Sequence, residues 1–152
     1  AFNYVGDAIK KRVEPLSEEL GGEFTFQCDV CDDAQIQSAA DLVKEKWGDL
    51  DILVHSVAFA NREDLGGRFV DTSRDGFKLA LEVSAYSLTA LCRAFEPLLA
   101  ASIRATAVQW PFCRLKRFLS TPSHEAHAYP RRRIDAGRYV AVVHCRGGDA
   151  PS

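Results

Sequence analysis

Three short stretches hold the side chains that could do chemistry. In "LDILVHSVAFA", Leu50 to Ala60, an apolar run through Ile52, Leu53 and Val54 gives way to a histidine, a serine and a phenylalanine. The run lacks the alternation of a half-wet strand, so it reads as a strand covered on both faces, as parallel sheets are built. Ligands of open parallel sheets gather beyond the carboxyl ends of the strands, which is where His55 to Ala60 fall. His55 itself, a lone histidine at a strand end, reads as a hydrogen-bonded structural residue rather than an acid or base. In "CDVC", Cys28 to Cys31, Asp29 directly follows a strand-like segment and can either meet a ligand or start the next helix. The cysteine pair has the gap of a zinc half-site, but no second pair stands at ligand spacing. In "HEAH", His124 and His127 are one residue short of the spacing that puts two histidines on one helix face.

The elements that must position these residues alternate between helix and strand. Asp7 can cap a helix with Ile9, Val13, Leu16 and Leu20 on its apolar face, ended by Gly21-Gly22 and kinked or split at Pro15. "EFTFQCDV" alternates Phe24, Phe26 and Cys28 against Thr25 and Gln27, a strand that ends at Asp29-Val30. Asp32 or Asp33 caps a second helix with Ile36, Ala40, Val43 and Trp47 on one face and Gly48 past its end. After the strand from Asp51 and the loop "NREDLGGRF", Thr72 or Ser73 opens a long helix through Phe77, Leu81, Leu88, Leu91, Phe95 and Leu98, stopping near Pro97 to Ala101. This order is the grammar of a parallel sheet with crossover helices.

Composition divides the chain near residue 100. The 152 residues carry a net charge of −2, but residues 1–100 hold ten Lys and Arg against eighteen Asp and Glu, and residues 101–152 hold nine against three. Eight of those nine are arginine, and four of the six prolines lie there too. Five scattered cysteines, Cys28, Cys31, Cys92, Cys113 and Cys145, suit reduced thiols better than a disulfide framework. With no apolar run long enough to span a membrane and no signal-like start, the expected location is cytoplasmic. The chain begins at Ala1 and contains no methionine, as a piece of a longer protein would.

The succession "AFNY", "RVEPLSEELG", "CDV", "KEKWGDLDILVHSVAFA", "GGRFVDTSRDGF" and "SAYSLTALCRA" resembles the NADH-dependent enoyl-acyl-carrier-protein reductases of bacterial fatty acid synthesis, within the short-chain dehydrogenase/reductase superfamily. The likeness runs through about residues 1 to 100. It implies a Rossmann-like doubly wound α/β sheet, NADH as cofactor, reduction of a trans-2-enoyl thioester on acyl carrier protein, and a homotetramer. By resemblance, Asp29 and Val30 are the adenine contacts. Ser56, Val57 and Ala58 border the ribose and nicotinamide, and Phe59 and Ala60 are substrate-side positions. Val5 stands where many relatives carry a polar residue near the adenosine, and Tyr86 and Ser84 read as packing and helix-face groups.

The resemblance also implies what this chain does not show. The family's first strand, with its glycine-rich turn at a helix N-terminus, would precede residue 1. Its catalytic tyrosine, followed after six residues by a lysine, would lie beyond residue 100. Here Tyr139 meets Arg146 at that interval, Tyr129 meets Ala136 and Tyr86 meets Arg93, so no position is assigned a catalytic role. The expected organisation is therefore a partial NAD-binding domain over residues 1–100 and an irregular basic tail over residues 101–152. The tail reads best as the product of a coding-frame change near residue 100. A nucleic-acid arm built on "PRRR" and Arg138 is the alternative, disfavoured because its arginines form no stripe. A non-catalytic remnant is the other class of reading. Another carbonyl reductase of the superfamily is disfavoured because that group carries an asparagine-rich stretch in place of "HSVAFA".

Overall fold

The computed structural model describes residues 1–103, 105–109 and 138–144. Five strands, β1 (Phe2–Tyr4), β2 (Thr25–Gln27), β3 (Ile52–Val57), β4 (Thr106–Gln109) and β5 (Tyr139–His144), form one parallel sheet in the order β2-β1-β5-β3-β4. Helix α1 (Gly6–Glu19) joins β1 to β2, and α2 (Asp33–Trp47) joins β2 to β3. The run from β3 to β4 holds a short turn α3 (Arg62–Leu65), a 3-10 turn at Phe69–Asp71, α4 (Arg74–Leu81), a π-turn at Glu82–Tyr86 and α5 (Ser87–Ala101). The β1-to-β2 step moves toward the sheet edge and the β2-to-β3 step moves back. Right-handed crossovers therefore put α1 on one face, and α2 and α5 on the other. Helices α2 and α5 indeed pack together over the sheet, around a core that includes Phe26, Ile36, Val43, Leu53, Leu91, Phe95, Leu98, Val140 and Val142. This is the doubly wound Rossmann-like arrangement expected from the sequence.

Local chemistry explains most boundaries. Asp32 caps α2 by accepting from the Ala34 and Gln35 amides, and Gly48, at φ +80°, ends the helix. Helix α1 closes in a paired turn, with the Gly22 amide donating to Ser17 O and the Gly21 amide to Glu18 O. Gly21 takes the left-handed position of that turn, at φ +71°, and a Cβ on Gly22 would press on the Ser17 hydroxyl. Two details of α1 correct the sequence reading. Its N-cap is Val5, which offers no side-chain bond, and Asp7 lies in the first turn, where its charge faces the positive end of the helix. Pro15 neither splits nor ends the helix; it is exposed, as is Lys11, whose carbonyl the missing proline N–H would have bonded.

The helix after Ser73 differs from the single amphipathic helix expected. Ser73 does cap it, accepting from the Gly76 amide, but the π-turn inserts one residue and so rotates the face by about 100°. Leu91, Phe95 and Leu98 are in the core, whereas Phe77 and Leu81 are 49% and 51% exposed.

The largest departure concerns the tail. Residues 106–109 and 139–144 are strands, not irregular chain, and they join the sheet of the first hundred residues. Strand β5 takes the central position between β1 and β3, the place held by strand one in the order 3-2-1-4-5-6. Its ladder with β3 runs from Ile52↔Tyr139 to Val57↔His144, while with β1 it shares the pair Phe2↔Ala141. The sheet is therefore closed where the absent first strand would leave a gap, because β3's inner backbone groups need partners and an apolar six-residue segment supplies them. Arg138 locks the entry: its guanidinium pairs with Asp49 and donates to Trp47 O, and its amide donates to Asp51 Oδ2. Residues 131–133 of the suggested basic arm, like His124, His127, Tyr129, Ala136 and Arg146, lie outside the described residues.

Candidate cofactor and substrate site

Parallel strands bring all their carboxyl ends to one edge, and the predicted site residues stand on two of them. The Asp29 turn follows β2 and the Ser56–Ala60 segment ends β3, with β1 and β5 between. Three inter-strand steps separate β2 from β3, a span of about 14 Å.

The Asp29 turn is tightly held. Asp29 Oδ1 accepts from the Cys31 amide at 3.0 Å, and the Asp29 amide donates to Gln35 Oε1 at 3.0 Å. Gln35 in turn donates through Nε2 to Asp32 Oδ2 at 2.9 Å, so the first turn of α2 fixes the strand end. Asp32, not Asp29, caps the helix, and Asp29 closes the turn before it. Val30 is only 4% exposed and belongs to the core. Cys28 is wholly buried, its thiol pushed up to about 12 by burial and then by Asp29, while Cys31 is exposed. No group of three or more candidate metal ligands occurs among the described residues.

At the end of β3, alternation sends Leu53, His55 and Val57 to the α5 side and Ser56 to the opposite face. His55 is wholly buried, with Nε2 2.7 Å from Ser87 Oγ, and Ser87 Oγ donates to Val83 O at 2.6 Å. One hydroxyl carries one proton, so Ser87 must accept from His55, which places the imidazole proton on Nε2. His55 Nδ1 and Ser56 Oγ have no hydrogen-bond partner among the described residues. Burial holds the His55 pKa below its usual value, as suits a neutral structural imidazole. Val57 is buried, Ala58 exposed, and Phe59 and Ala60 half-buried, with Phe59 packed against the core.

Two further residues hold the segment from Phe59 onward. Asp64 accepts from the Ser73 amide at 2.8 Å and from Asn61 Nδ2 at 3.3 Å, bonds that keep its carboxyl below the ordinary range. Ser84, in the π-turn, accepts from the Phe59 amide at 3.0 Å. Sequence pattern ranked Ser84 as a helix-face group, since nothing in the helical period marks a π-turn.

The family model described as enoyl-(acyl carrier protein) reductase matches residues 1–121. The chain belongs to that family. It is 47% identical over 91 residues to enoyl-[acyl-carrier-protein] reductase [NADH] 1 of Rhizobium meliloti, covering 60% of this chain and 34% of the relative. It is 42% identical over 99 residues to the enoyl-[acyl-carrier-protein] reductase [NADH] FabI of Aquifex aeolicus, covering 65% of this chain and 37% of the relative. The crystal structure of the Aquifex aeolicus enzyme superposes with a TM-score of 0.67 at 40% identity, over 72% of this chain and 43% of that one. The Anaplasma phagocytophilum reductase, solved in complex with NAD, gives 0.65 at 37% identity, over 70% and 40%. The chain thus spans well under half the length of these family members.

Proposed function

We propose that the carboxyl edge of this sheet holds the adenine, nicotinamide and acyl half-sites of an NADH-dependent enoyl-acyl-carrier-protein reductase. The observation that carries the reading is the pair of segments, Asp29-Val30 and Ser56–Ala60, on one edge of a parallel sheet and separated by a span suited to an extended dinucleotide. Asp29 would accept from the adenine amino group, beside Val30. Ser56 Oγ, buried without a partner among the described residues, fits a ligand that brings a hydrogen-bonding group. Val57 and Ala58 border the nicotinamide side, exposed Ala58 leaving room for close approach, and Phe59 with Ala60 walls the thioester end of the acyl chain.

When bound, NADH supplies a hydride to the carbon beta to the thioester carbonyl. The chain's own residues orient the two ligands and exclude water beside Phe59. No tyrosine and lysine at the family's spacing stand in the sequence to stabilise and protonate the enolate oxygen, so residues 1–100 serve binding rather than proton transfer. The full reaction, the acyl carrier protein partner and a cytoplasmic setting belong to the same proposal. So does a homotetramer, supported by the exposed apolar side chains of Phe69, Val70, Phe77 and Leu81. Among the described residues no helix is long and apolar enough to cross a membrane. The nucleic-acid reading gains no support from Arg138, whose guanidinium is engaged by Asp49 and Trp47 O.

Calorimetric NADH titration of the native chain and of Asp29→Ala tests the proposal. Weak binding is expected from the native chain, reduced by about 1 to 2 kcal/mol in the variant, the value of one charged hydrogen bond. Equal affinities would take Asp29 out of the site.

A further inference from the structure

Phe59 lies two residues beyond the end of β3. Among the described residues the ladders of β3 run to His55↔Gln109 on one side and Val57↔His144 on the other. Ser84 engages both backbone groups of Phe59: Ser84 Oγ accepts from the Phe59 amide at 3.0 Å and lies 3.3 Å from the Phe59 carbonyl, to which it donates. The hydroxyl can do both at once, since it has one proton and two lone pairs. The π-turn at Glu82–Tyr86 makes this possible. Three residues on, Ser87 bonds His55, so two serines from one helical segment hold the same strand end, one at residue 55 and one at residue 59. An inserted helical residue is an irregularity that tends to accompany functional sites.

We infer that Ser84 is a positioning residue for the acyl thioester: it fixes the backbone of Phe59, and so the wall against which the carbonyl end of an α,β-unsaturated thioester lies. The inference rests on the substrate-side assignment of Phe59 proposed above. Ser84 touches neither ligand in this account. It acts through Phe59, whose ring is seated on the core while its backbone is tethered to the π-turn.

The test uses the full 152-residue chain and three variants, Ser84→Ala, Ser84→Thr and Ser84→Cys, followed by amide NMR. Binding of a short trans-2-enoyl pantetheine thioester and of NADH is read from shift titrations, and the Phe59 amide from hydrogen exchange. Ser84→Ala is expected to weaken the thioester roughly fivefold to tenfold, the worth of one neutral hydrogen bond, while NADH affinity stays within about twofold. Phe59 exchange accelerates in the same variant. Ser84→Thr, which keeps the hydroxyl, restores both. Ser84→Cys, a weak donor of similar volume, reports the same loss should the alanine variant fail to fold. Unchanged thioester affinity alongside faster Phe59 exchange would make the tether purely architectural and overturn the inference. A native chain whose Phe59 and Ala60 signals ignore the thioester overturns the substrate assignment instead, a failure visible before any substitution is made.

Discussion

A neutral imidazole is what the His55 pocket holds, because its Nε2 proton is given to Ser87 and its Nδ1 lies among buried groups. Its pKa is lowered by burial, so the folded chain binds fewer protons than the unfolded chain, whose histidine titrates near 6.5. The stability that depends on neutral His55 is complete above about pH 6.5 and is lost as pH falls through that value toward the folded pKa. Urea midpoints between pH 7.5 and 5 should fall in the native chain and flatten in His55→Gln, which keeps a donor toward Ser87. An unchanged slope in the variant would assign the effect to another group. Asp29 carries a second prediction, since its carboxylate both closes the turn onto Cys31 and is proposed to face the adenine. Asp29→Asn retains an acceptor for the Cys31 amide and should keep the fold while weakening NADH, and Phe59→Ala should chiefly weaken the enoyl thioester. A loss of NADH affinity in Phe59→Ala equal to its loss of thioester affinity would contradict that division of labour.

Among the elements, α2 was the most legible in the sequence, because Asp32, the Ile36 to Trp47 face and Gly48 each signal the same helix. Strand β3 was equally plain as an unbroken apolar run. Strand β1 was not, since its three residues centre on a polar one, Asn3, buried and donating to Cys28 O at 3.0 Å. Such a bond depends on β2 and leaves no local signal. The π-turn was illegible for a related reason: its purpose is set by residues 55 and 59, some thirty positions earlier. The missing cap of α1 gives a prediction at this scale. Val5 has extended backbone angles suited to an N-cap and no side-chain bond, so Val5→Ser should stabilise the chain by about 1 kcal/mol in urea unfolding. A decrease would show that Val5 packing outweighs the cap.

At the scale of the whole molecule, composition divides the chain near residue 100 while the sheet runs across that division. The tail is rich in arginine and proline, yet two short segments of it are β4 and β5. The central place of β5 depends on pairing with strands far away along the chain; the sequence shows only that Tyr139 to His144 is apolar enough to fill the place of the absent first strand. Val140 and Val142 are wholly buried there, so Val140→Asp should cost several kcal/mol and abolish cooperative unfolding. Retained cooperativity would mean that β1 and β3 need no strand between them. The gene offers an independent check: another reading frame near codon 100 should encode a strand followed by a tyrosine, six residues and a lysine, and its absence from both alternative frames would sink the frame-change reading. The central claim is that one sheet edge carries both halves of a dinucleotide site. Amide shift mapping of the full chain during NADH titration tests it most directly. The account predicts perturbations at two separated places, Asp29-Val30 and Ser56–Ala58, that saturate together; shifts confined to one of them, or centred on residues away from this edge, would contradict it.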